Sequence, residues 1–75
     1  MRALIEYLAR ALTRHPDDVV VEEEQHGDRI VFHLYVNEDD KGRVIGRDGR
    51  IANAMRSLLH VAAVRAGVRA SLDIE

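Results

Sequence analysis

The sequence predicts an α+β fold in the order helix, strand, strand, short helix, long helix, strand. The expected architecture is a three-stranded mixed sheet with helices on one face. Two stretches space their apolar residues at helical intervals, residues 2–14 and 50–66. Two others alternate, residues 29–36 and 68–74. The third observation is "GRVIGRDGR", residues 42–50, where three glycines among three arginines interrupt the helical pattern.

Leu4, Ile5, Leu8 and Leu12 form the apolar stripe of the first helix, with Met1 extending it. Arg2, Glu6, Arg10 and Arg14 step by four along another face, and Glu6 to Arg10 is the favourable i,i+4 order. His15-Pro16 ends the helix, because proline disfavours helical backbone in the residue before it. Val19-Val20-Val21, followed by Glu22-Glu23-Glu24, reads as a short strand. Gln25-His26-Gly27-Asp28 then supplies a hairpin turn. In residues 29–36, Ile30, Phe32, Leu34 and Val36 alternate with Arg29, Val31, His33 and Tyr35, so one face packs on helices.

Asn37 to Asp40 reads as a loop, with Asp40 the expected N-cap of a short helix from Lys41 to Ile45. In the long helix, Ile51, Ala54, Met55, Leu58 and Ala62 are the expected buried stripe, flanked by Leu59 and Val61. Gly67 suits the left-handed position after its end. The last strand is reached through a two-helix crossover, which implies a parallel relation to the strand before it.

Seventy-five residues suffice for one small domain, spanning 1–75. No apolar run approaches the ~20 residues that span a bilayer, and Glu6 interrupts any signal-peptide core. Without cysteine there is no disulfide framework and no thiolate metal site. The net charge of −2 conceals an asymmetry: residues 1–40 sum to −6 and residues 41–75 to +4. Five of the seven basic residues in the second part fall between Lys41 and Arg56, which points to an anionic partner for that segment.

Gly42, Gly46 and Gly49 do not have P-loop spacing, since Gly49 is followed by Arg50-Ile51 rather than Lys-Ser or Lys-Thr. Nor do they make a dinucleotide fingerprint, which needs G-x-G-x-x-G after a buried strand. What remains is Gly46-Arg47-Asp48-Gly49, a turn joining a short helix to a long one. Its amides and the N-terminus of the long helix form a natural anion site, to which Arg47 and Arg50 add charge.

"VIGRDGRI", residues 44–51, resembles the V-I-G-x-x-G-x-x-I signature of K-homology (KH) domains, and the element order is similar to the type II KH topology. The resemblance is closer still to the KhpA family of small stand-alone bacterial KH proteins, especially over residues 36–65. It implies a cytoplasmic protein that holds about four nucleotides of single-stranded RNA, with Gly46, Arg47, Asp48 and Gly49 clamping the backbone. Val44, Ile45 and Ile51 become candidates for the apolar wall against which bases lie, with Arg50, Arg43 and Lys41 as supporting cations. The family further implies RNA chaperoning with a KhpB-like KH partner, as a homodimer or heterodimer, and a link to cell-wall homeostasis and cell length.

Asp48 departs from the more basic forms of such a loop. It can cap the long helix by accepting from a first-turn amide, and it should still weaken phosphate binding and leave Arg47 carrying more of it. Val44, Ile45 and Ile51 are each equally readable as core, and Arg43 and Arg56 as solvated helix residues. The histidines (His15, His26, His33, His60) form no constellation with metal-ligand spacing. Phe32 is expected in the core, and Tyr35 is a lesser candidate for exposure and contact with RNA or a partner. No nucleophile, cofactor motif or acid–base pair stands out, so catalysis is not expected. The competing function is a KH-fold dimerisation module with little RNA affinity.

Overall fold

The computed structural model describes residues 1–75 and has six main elements: α1 (Arg2–Leu12), β1 (Val20–His26), β2 (Arg29–Tyr35), α2 (Lys41–Ile45), α3 (Arg50–Ala66) and β3 (Arg69–Ile74). The sheet order is β1-β2-β3. β1 and β2 are antiparallel, in register from Val20 opposite Tyr35 to His26 opposite Arg29. β2 and β3 are parallel, with Arg29 opposite Arg69 and Leu34 opposite Ile74. This is the expected α+β arrangement with a mixed three-stranded sheet.

Burial follows the strand alternation. Ile30, Phe32 and Leu34 of β2 join Val21 and Leu72 under Ile5 and Ala9 of α1 and Met55 and Leu59 of α3. The alternate positions of the sheet face away from these helices. β1 continues through all three glutamates to His26, beyond the short strand expected. Only Val21 of β1 is buried, so ladder hydrogen bonds hold this strand more than side-chain burial does. The turn is tightened to Gly27 and Asp28, with Gly27 at φ 65°. A positive φ at the first turn position only is the type II′ pattern, which matches the strand twist.

α1 stops at Leu12, two residues before the expected end, and Thr13 is already extended. The amides of Arg14 and His15 are thereby released from the helix. Both donate to the carboxylate of Asp40, at 3.1 and 3.0 Å. Asp40 is therefore not the N-cap of α2 that its position suggested. Its side chain makes no cap bond and is wholly buried. Asn37 supports the same junction: its side chain accepts from the Asp39 amide and donates to Asp18. What reads as a loop is thus a tied turn that fixes where α2 begins.

α3 buries Ala52, Met55, Leu59 and Ala63 rather than the expected stripe. Of that stripe only Met55 is fully buried; Ala54 is exposed and Leu58 is 49% exposed. The helix carries apolar residues around most of its circumference, so periodicity alone leaves its rotation open. Ala52 and Ala63 on the inner face let it lie close to its neighbours. α3 ends as expected at Gly67, in left-handed backbone at φ 71°. The Val68 amide returns to the Ala63 carbonyl at 3.0 Å, closing the helix by the usual glycine C-cap.

Candidate nucleic-acid interface

Between α2 and α3 the chain makes one 3₁₀ turn, Arg47–Gly49. Gly46 has φ 76° and ψ 173°, a region closed to residues with a side chain. A Cβ there would lie 2.4 Å from Ile51 Cγ1 and 2.9 Å from the Ile51 amide nitrogen. Glycine is therefore required at 46 both by dihedral and by space. Asp48 (φ 57°, ψ 23°) and Gly49 (φ 75°, ψ 15°) follow in left-handed backbone. At Gly49 a Cβ would meet only Asn53 Nδ2, at 3.8 Å, so there dihedral preference alone favours glycine. The turn is closed by Gly46 N–H to Gly42 C=O (2.9 Å) and Gly49 N–H to Gly46 C=O (3.2 Å).

The N-terminus of the 17-residue α3 has no side-chain cap and no acidic residue in its first turn. Its leading amides and the positive end of the helix dipole thus face the loop region without a competing carboxylate bond. Asp48 does not supply the capping bond its position offered; its side chain is exposed. Arg47 and Arg50 are exposed and take part in none of the ion pairs. Lys41 is committed to Glu38 at 3.0 Å, and Arg43 Nε lies 3.8 Å from Asp40. The two arginines of the turn are the freest cations of the segment.

The three apolar wall candidates separate. Val44 is completely buried, so it is core. Ile51 is partly buried beneath Gly46. Ile45 is 40% exposed and is the one that offers apolar surface. Phe32 lies in the core and Tyr35 is 39% exposed on the open face of the sheet.

A second feature lies along α3, one that residue types alone did not mark out. Arg56 Nε donates to the Leu72 carbonyl at 3.2 Å, and its Nη1 to Asn53 at 3.3 Å. Asn53 is the side chain next to Gly49. The glycine turn is thereby linked through Asn53 and Arg56 to the outer edge of β3. There Arg56, Leu59 and His60 face Ala70–Leu72 across an open groove of about 410 Å³. Arg56 is not a merely solvated helix residue, since it bridges α3 to β3. The groove escaped sequence reading because it forms between residues about 15 positions apart, on elements whose packing is nonlocal.

The chain matches the family described as KhpA/KhpB, KH domain, over residues 2–74. It is similar to a protein named "RNA-binding protein KhpA" from Halalkalibacterium halodurans, 46% identical over 74 residues, 99% of this chain and 97% of that protein. A protein of the same name from Oceanobacillus iheyensis is 38% identical over 74 residues, covering 99% of each. Among solved structures, Aquifex aeolicus Era bound to GDP.AlF4- superposes with a TM-score of 0.66 at 18% identity. That alignment covers 97% of this chain and 28% of the Era chain, so the likeness is one of fold.

Proposed function

Because the chain belongs to the KhpA/KhpB KH-domain family, of the type II KH fold, we propose that it binds single-stranded RNA without catalysis. The Gly46–Gly49 turn is the backbone clamp. The carrying observation is the junction itself. Two consecutive left-handed residues leave the start of α3 uncapped, and two unpaired arginines flank it. Phosphate oxygens suit exposed amides and guanidinium groups together. Ile45 supplies apolar surface beside the clamp, while Ile51 packs beneath Gly46. Relatives named as RNA-binding proteins support the reading.

RNA chaperoning with a KhpB-like partner, and a role in cell-wall homeostasis and cell length, rest on the family resemblance. So does a cytoplasmic location. No helix is long and apolar enough to cross a membrane.

One observation favours pairing between KH units. Leu58, Val61 and Val64 are 49, 52 and 63% exposed on one side of α3. Packing two such stripes together would bury them, and coupling two clamps would raise avidity for one RNA. If pairing were the whole function, the protein would dimerise yet show no RNA affinity at low salt.

The test is titration of unstructured RNA against wild type and Arg47→Asp at several salt concentrations. Wild type binds with steep salt dependence, as counterion release requires. A folded Arg47→Asp protein with unchanged affinity and salt slope removes Arg47 from the clamp. Wild-type dimerisation without any RNA binding establishes the pairing module instead.

A further inference from the structure

The open face of the sheet carries a charge arrangement that the glycine turn does not use. Glu22, His33 and Asp73 lie opposite one another across the three strands. Glu24 lies on the same face of β1, and Glu75 follows β3. His33 Nε2 is 2.7 Å from Glu24 Oε1, and His33 Nδ1 is 2.9 Å from Glu75 Oε2. The His33 side chain is only 18% exposed, although no helix covers this face. No Lys or Arg pairs with Glu22, Glu24, Asp73 or Glu75. The other titratable or charged groups on this face are His26, 3.3 Å from Glu24, Tyr35, and Arg29 and Arg69, which lie opposite each other at the turn end of β2 and β3. Burial, and then Glu22, Glu75 and Glu24, push the tyrosine pKa up.

The two short contacts constrain the protonation of His33. A neutral imidazole has one donor nitrogen and one acceptor, whereas an ionised carboxylate only accepts. Both contacts are hydrogen bonds together only when both ring nitrogens carry protons. In the neutral ring, one nitrogen lone pair faces a carboxylate oxygen and that contact becomes repulsive.

We propose that His33 is a proton-gated clamp: its imidazolium bridges Glu24 of β1 to Glu75 and holds the C-terminal end of β3 onto the hairpin, and loss of one proton releases it. The Glu75 amide makes a late rung of the β2–β3 ladder, donating to Leu34 C=O at 2.9 Å. The opposite edge of β3 is the groove wall to which Arg56 is bonded. Release of the clamp therefore loosens one wall of that groove. The clamp is independent of what the glycine turn binds.

The direction of the titration agrees with the geometry. The hydrogen bond from His33 to Glu75 raises the His33 pKa from its usual 6.5 against opposing burial, and Glu24 raises it further. A raised histidine contributes stability that is full below its unfolded value and lost as pH rises through the folded one. Glu24 is held below its usual 4.5 by hydrogen bonds from His26 and then His33. Its contribution is present above 4.5 and lost as pH falls through its lowered value. The clamp is thus closed in a mildly acidic to neutral window and opens on both sides of it.

The experiment follows imidazole and amide resonances between about pH 5.5 and 8.5, with EDTA present so that only a proton can occupy the cluster. His33 is expected to titrate above 6.5, and Glu75→Gln to lower its midpoint. Protection of the Glu75 amide is compared with that of Arg69, whose bond to Asp28 C=O closes the other end of the same strand. After correction for intrinsic exchange, the Glu75-to-Arg69 ratio should fall several-fold through the His33 titration. His33→Gln should abolish that step. The clamp is overturned by a His33 midpoint at or below 6.5, by a midpoint that ignores Glu75→Gln, or by an unchanged ratio. Persistence of the step in a folded His33→Gln protein also overturns it. Should His33→Gln not fold, the wild-type and Glu75→Gln titrations decide.

Discussion

Asp40 and Asp48 stand at the two ends of the short helix α2, and their carboxylates end in opposite circumstances. Asp40 is fully buried and accepts two amides from a segment 25 and 26 residues earlier. Asp48 is exposed, lies in left-handed backbone and caps nothing. Sequence position offered both the same role, an N-cap of the helix that follows. Asp40 found donors because α1 unwinds at Thr13 and turns its next two amides inward. Asp48 sits where the chain is left open. The fold closes the start of α2 and leaves its end accessible, which is what a binding turn on a rigid support requires.

The largest expected effect breaks the closed end. Asp40→Ala removes a charged acceptor and strands the amides of Arg14 and His15. Two such bonds in a domain this small correspond to a melting temperature lower by roughly 10–20 °C, measured by calorimetry or circular dichroism. The wild-type junction should also be acid-sensitive. Burial alone would raise the Asp40 pKa, but the Arg14 and His15 amides, with nearby His15 and Arg43, hold it below 3.8. A depressed carboxylate contributes stability above its unfolded value and loses it as pH falls through the folded one. Stability lost below about pH 3.8 should therefore be smaller in Asp40→Asn, as read from urea midpoints across that range.

Gly46→Ala comes next, because Cβ meets the Ile51 side chain and amide at a dihedral alanine avoids. A loss of about 2–3 kcal/mol is expected in chemical denaturation. Gly49→Ala should cost nearer 1 kcal/mol, since only left-handed backbone opposes it. Equal losses at the two glycines would mean that the contact beneath Gly46 relaxes freely.

Arg47→Asp tests the open end. Folding should change by less than ~0.5 kcal/mol, as for other exposed sites. RNA affinity should fall, and the salt slope should become shallower by about one phosphate contact. The smallest effect belongs to Asp48→Asn, which keeps shape and tolerance of left-handed backbone but removes a negative charge. Its stability should match wild type within ~0.5 kcal/mol, and RNA should bind a few-fold more tightly in low-salt titrations.

Periodicity and glycine chemistry are local, so they were legible. Alternation placed Phe32 and Leu34 inside, and Gly67 ended α3 where a left-handed residue was needed. The turn at Gly46–Gly49 was readable because a side chain at Gly46 has no room, and glycine marks that on the sequence itself. The rotation of α3 was not readable. Ile51, Leu58 and Val61 are as apolar as Leu59, and only contact with the sheet, α2 and α1 selects Ala52, Met55, Leu59 and Ala63. The same holds for Val44, which matched an apolar wall in sequence and became core once α2 was seated.

By itself, then, the sequence determined the order of elements, the parallel crossover, the site of the turn and the basic character of its surroundings. Most of these depend on residues within one or two turns of chain, and the crossover on the order of elements alone. Tertiary structure alone decided the partners of Asp40, the bridge from Arg56 to Leu72 and the carboxylates around His33. These pairs are separated by 9 to 42 residues. Strand register and helix packing bring them within hydrogen-bond distance, and neither is encoded in the spacing of any one segment.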